Sequence, residues 1–141
     1  MLATASAKAI ISQPRSVVWE KLSDFGNLDW AVGFGIQEFT SEGSGVGMYR
    51  YPILSNGEKV TEKLIRLEPK EFLIEYQIIG GNLIESLNYV ARVWIEDDEE
   101  CSHIHWLCEA EFPDDKVESK KSELNLMVQG MAQIFSSQFQ K

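Results

Sequence analysis

Cysteine is scarce in this chain, sustained apolar runs are missing, and positive charge is outweighed. Each shortage removes a class of protein. The two cysteines, Cys101 and Cys108, stand seven apart in what reads as one strand. That odd spacing sends their side chains to opposite faces, and extended backbone separates them too far to bridge. They are expected as free thiols, which suits a reducing compartment. Met1 to Ile11 contains Lys8 and small residues but no sustained apolar core, so neither a signal peptide nor a membrane span is expected. The cytoplasm is the expected location. Lys plus Arg number 13 against 22 Asp plus Glu, a formal charge of −9 that opposes binding to nucleic acid or anionic lipid headgroups. No repeat, low-complexity stretch or Pro/Gly/Ser-rich linker divides the chain.

What is present is the composition of an ordinary globular domain, 44% hydrophobic and 25% charged over 141 residues. A chain of that size buries a self-sufficient core without metals or disulfides, so a single domain over 1–141 is expected.

The periodicity of the chain changes along its length. Residues 3–11 alternate small apolar with polar side chains and predict a strand with a tight inner face. Pro14 followed by Val17, Val18, Leu22 and Phe25 predicts a short helix over 14–23, and Leu28-Asp29-Trp30 a second helical turn. Turn chemistry at Glu42-Gly43-Ser44-Gly45 and Ser55-Asn56-Gly57 then punctuates β-branched and aromatic stretches. Strands are expected over 34–41, 46–52, 58–67, 72–79, 86–96 and 102–112. In the last of them Ile104, Trp106, Cys108, Ala110 and Phe112 share one face, opposite His103, His105, Leu107, Glu109 and Glu111. One face is therefore packed and the other mostly wet.

From about 116 to 139 the period becomes helical, with Val117, Leu124, Met127, Val128, Met131, Ile134, Phe135 and Phe139 on one stripe. That stripe needs an apolar partner, and the packed face of the sheet is the large one available. The order of elements predicts an α+β helix-grip fold: a curved antiparallel sheet of about seven strands around a long C-terminal helix, with two short helices after the first strand. Gly130 interrupts the helix at a cost of about 1 kcal/mol relative to Ala. Close packing on the sheet and room for a ligand are equally good explanations at this level.

Three segments carry a resemblance. Val18 to Leu28, the Gly-rich Glu42 to Arg50, and Val60-Thr61-Glu62-Lys63-Leu64 resemble the polyketide cyclase/dehydrase-like members of the START and birch-pollen-allergen superfamily, in the expected order over nearly the whole chain. The resemblance implies the helix-grip fold and a ligand cavity. Thr61-Glu62-Lys63-Leu64, Ile78-Ile79-Gly80-Gly81 and Asn88-Tyr89 are further similar to plant abscisic acid receptors. That similarity implies Arg50, Glu62 and Tyr89 as pocket residues. Departures stand beside it. The receptors' ligand-pairing lysine falls in the apolar Ala31 to Gly35 region, their pocket serine matches Ala91, and their gate sequence is replaced by Leu54-Ser55-Asn56-Gly57, an ordinary tight turn. Hormone sensing and phosphatase binding are therefore not carried over.

An inward Glu62 must be paired or protonated, and Arg50 is its natural partner. A structural ion pair and a contact for the polar end of a ligand are both open readings. Tyr76 and Tyr89 offer hydroxyls on apolar strands, Trp30 and Trp106 offer flat walls, and Met127 and Met131 complete the ligand-facing set from the helix stripe. His103 and His105 share a strand face, a spacing that suits two metal ligands, but a solvent-facing pair is the stronger expectation and no metal site is assigned. No nucleophile, phosphate or dinucleotide motif is present, and no catalytic residue or cofactor is expected.

Binding or transport of a small hydrophobic molecule leads the functional readings. The same cavity also suits a polyketide cyclase or aromatase-like enzyme. A protein-interaction module with a filled core is the third reading, its partner unspecified.

Overall fold

A computed structural model describes residues 1–140. The chain runs β1 (Leu2–Ile11), α1 (Arg15–Ser23), a single 3₁₀ turn (Asp29–Ala31), β2 (Ile36–Glu42), β3 (Tyr49–Leu54), β4 (Thr61–Glu68), β5 (Leu73–Gly80), β6 (Leu87–Asp98), β7 (Cys101–Glu111) and α2 (Val117–Ser137). The strands form one antiparallel sheet in the order β1-β7-β6-β5-β4-β3-β2. This is the helix-grip fold. The second of the two expected short helices is reduced to that one three-residue turn, because Gly33 and Gly35 follow with positive φ and leave no run of residues for it to grow into.

Each element follows from a local pattern. Along β7, Ser102, Ile104, Trp106, Cys108 and Ala110 are buried in strict alternation, and on neighbouring β1 the inner residues are Ala3 and Ala5. Those methyl groups let a helix approach closely. α2 settles there, mainly across β1 and β7 with further contacts on the 3₁₀ turn, and buries Leu124, Val128, Ala132 and Phe135. At about 25 cal/mol per Å² of apolar surface, this stripe is the main reason the helix is held.

The other half of the sheet curves away. Register breaks at Ile36/Glu38 in β2 and between Leu64 and Arg66 in β4 mark the bends. β3 and β4 stand in direct register at only two pairs, Tyr49 with Lys63 and Arg50 with Glu62. A helix docked on β1 and β7 cannot also fill the concave side of β2 to β5, and a space remains.

The β5–β6 connection closes back over that space. Gly81 turns it with a φ of 83°, and a Cβ there would lie 2.2 Å from the Lys59 carbonyl oxygen, so only glycine fits. Glu85 then reaches Lys120 of α2 at 3.1 Å and Lys116, just ahead of the helix, at 3.5 Å. Among the described residues no helix is long and apolar enough to cross a membrane.

Candidate functional site: a cavity between the helix and the sheet

The space enclosed by β2 to β6, the 3₁₀ turn and α2 is a cavity of about 410 Å³. Its walls are mostly apolar: Leu28, Trp30 and Ala31 around the 3₁₀ turn, Ile36, Pro52 and Val60 from the sheet, Met127, Met131 and Ile134 from the helix. It opens to solvent beside Phe34, Ser55 and Asn56, all exposed, with Leu83 of the β5–β6 loop opposite. Among the described residues Arg50 and Glu62 are its only charged lining side chains.

These two come from the single inward register pair of β3 and β4. Arg50 Nε donates to Glu62 Oε1, and Arg50 Nη1 donates to the Phe25 carbonyl at 3.0 Å. The guanidinium also packs against two rings, 3.9 Å from the centroid of Phe25 and 4.7 Å from that of Tyr76. Both side chains are nearly removed from water, at 7% and 12% exposure. A buried charge is tolerable only when paired and hydrogen-bonded, and here both conditions hold.

Two tyrosines border the pair and differ in what their hydroxyls do. Tyr89 shares a 2.9 Å hydrogen bond with the buried Cys108 thiol. Burial raises the Tyr89 pKa well above the ordinary value, with nearby Cys108 adding to it. Burial likewise pushes the Cys108 thiol up to about 12, the hydrogen bond with Tyr89 pulling the other way. The Tyr76 pKa also rises strongly, first through burial and next through the Glu62 charge. All three groups therefore keep their protons at neutral pH.

Of the eight residues singled out from sequence, Arg50, Glu62, Tyr76, Tyr89, Trp30, Met127 and Met131 all line the cavity. Trp106 does not, and its expected place as a wall is corrected. Trp30 stands between it and the space, packed edge-on against Trp106 at 6.0 Å and against Phe135 at 5.2 Å. Trp106 is core, 2% exposed. Gly130 also changes meaning. A Cβ there would meet nothing within 4 Å, so close packing does not explain it.

Sequence reading missed Phe25, whose carbonyl and ring hold Arg50, and the mouth residues Phe34, Leu83 and Asn56. No local signal marks Phe25; only the tertiary fold brings it to Arg50. Ser55-Asn56 was legible as a tight turn, yet its position at the mouth depends on sheet curvature. The histidines separate rather than converge. His103 Nε2 bonds Asp98 at 2.8 Å, while His105 stacks on Trp94 at 4.9 Å and faces Glu96. Each ring is only 20% exposed, because these cross-strand partners cover it. Asp98, Cys101 and His103 gather their donor atoms within 4.8 Å at the β6–β7 turn, where hydrogen bonds inside the group already engage them.

The profile of a family described as polyketide cyclase/dehydrase and lipid transport matches residues 3–141. The chain belongs to this family. No curated protein matches it. Among solved structures, truncated norcoclaurine synthase from Thalictrum flavum superposes with a TM-score of 0.82 at 16% identity, covering 100% of this chain and 95% of that one. The protein XoxI from Bacillus cereus gives 0.80 at 16% identity over 97% and 95%. Major latex-like protein 151 from Panax ginseng gives 0.76 at 17% over 99% of both chains. Identities this low establish a shared fold and nothing finer. The chain is thus a polyketide cyclase/dehydrase and lipid transport family member with a ligand-binding fold.

Proposed function

We propose that this family member binds and carries a small, largely apolar molecule in the cavity between α2 and the sheet. The observation that carries the reading is volume joined to lining: about 410 Å³ with apolar walls and all of its charge gathered in one ion pair. That volume lies within the ~300–1,000 Å³ typical of small-molecule pockets. Water finds few partners on such walls, whereas an apolar ligand removes their surface from water. In this reading Trp30, Met127 and Met131 grip the apolar body. Tyr89 adds ring area, and Arg50, Glu62 and Tyr76 meet the polar end. Trp106 contributes by backing Trp30.

The family description covers chemistry as well as carriage. Acid–base chemistry needs a free base within reach of the substrate. Among the described residues Glu62 is the sole carboxylate on the lining, and it is tied to Arg50, so carriage is favoured. An open cavity also weighs against the filled-core interaction module. The free thiols of Cys101 and Cys108 support a reducing, cytoplasmic setting.

Native mass spectrometry of freshly purified protein tests the reading. A retained small molecule, or uptake of a neutral apolar fluorophore that Met131→Trp reduces, is the expected result. A chain that retains nothing and takes up no such probe would sink it. Turnover of the retained molecule would move the case to an enzyme.

A further inference from the structure

We infer that the cavity selects an uncharged ligand ending in an alcohol or carbonyl oxygen, and discriminates against carboxylates and amines. The inference rests on the carrier reading and goes further by naming the ligand's polar end.

The argument is one of charge balance in a confined apolar space. Among the described residues Arg50 is the one cation on the lining, and Glu62 already neutralises it. A ligand carboxylate would therefore add an unpaired negative charge beside Glu62, and an ammonium an unpaired positive charge beside Arg50. Either ion would leave water without a counter-ion to receive it. Arg50 is held towards Glu62, because the Phe25 carbonyl accepts from one guanidinium nitrogen and the rings of Phe25 and Tyr76 pack against the group.

Neutral polar chemistry, by contrast, is well served. With Nε and Nη1 engaged by Glu62 and Phe25, Nη2 is the guanidinium nitrogen left to donate. The Tyr76 hydroxyl keeps its proton and is a second donor, its pKa raised by burial and by the Glu62 charge. The Tyr89 hydroxyl is already engaged in a hydrogen bond with Cys108. A carbonyl oxygen accepts from these donors. A hydroxyl accepts from them and can also donate to Glu62, leaving no buried group unpaired.

The experiment uses the full chain and a neutral fluorescent probe, N-phenylnaphthylamine, displaced by a matched set: decanol, methyl octyl ketone, decanoate and decylamine. At neutral pH the alcohol and ketone are expected to displace the probe at concentrations about tenfold or more below those of the two ions. Decanoate should gain potency as pH falls towards its own pKa, because it enters protonated. Glu62→Gln, which leaves Arg50 uncompensated, should reverse the order and favour decanoate over decanol. Should that variant not fold, Tyr76→Phe weakens the ketone while sparing the carrier's apolar grip, and the wild-type comparison still decides. Decanoate equal to decanol on the wild-type chain overturns the inference and leaves the carrier reading intact. A chain that takes up no probe at all overturns the carrier reading, and the inference falls with it.

Discussion

Arg50 and Glu62 face each other across β3 and β4 at one of only two direct register pairs those strands make, and the pair forms the charged lining of the cavity. The same contact thus ties a weakly paired part of the sheet and sets the electrostatics of the site. Its removal should be felt in both.

Glu62→Ala leaves a buried guanidinium without its counter-charge, and Arg50→Ala leaves a carboxylate in the same position. Each is expected to cost about 3–5 kcal/mol in urea unfolding. Replacing both with apolar residues of similar volume, Arg50→Met with Glu62→Leu, should restore most of that stability. A double variant as unstable as the singles would show that the pair contributes through geometry and not through charge.

Gly130 and Gly81 should respond in opposite directions to alanine. At Gly130 the new methyl group meets open space inside a helix, so Gly130→Ala should stabilise the fold by about 1 kcal/mol. A loss of stability there would mean the helix backbone is not regular at this point.

At Gly81 the methyl group would collide with the Lys59 carbonyl while occupying a φ of 83°. Gly81→Ala should therefore destabilise by about 2 kcal/mol or more. Because this turn carries Leu83 to the cavity mouth, thermal melts of the variant should be accompanied by weaker probe retention.

Alkaline pH should unfold the protein partly through Cys108. Its folded pKa is raised to about 12 by burial, so the native chain holds a proton that the unfolded chain releases at the ordinary thiol value. This contribution is complete below the ordinary value and declines as pH climbs from there to about 12. Cys108→Ser, whose hydroxyl does not ionise in that window, should flatten this part of the stability profile. In thiol labelling of the native wild-type chain, partly exposed Cys101 should react and Cys108 should not.

Strand alternation and helical stripes were legible before any coordinates, because each is a repeat within one segment. The inner face of β7, the tight alanine face of β1 and the stripe of α2 all appear where those patterns place them. The resemblance added Arg50, Glu62 and Tyr89 as pocket residues, and all three line the cavity. The features misjudged or left open depend on neighbours far along the chain. Trp30 and Trp106 look alike as isolated aromatics, and only their stacking order decides which one borders the space. Gly130 reads equally as packing or as room until the opposite surface is known.

By itself, then, the amino-acid order determined which faces are apolar, where the chain turns, and that a long amphipathic helix must lie on an antiparallel sheet. Tertiary structure alone decided that the helix rests on β1 and β7, that the other strands bend away to leave a cavity, and that Phe25 and Tyr76 lock Arg50 onto Glu62. The physical reason is range. Periodicity is written in residues a few positions apart, whereas a cavity is the mismatch between surfaces that meet only after the sheet has curved.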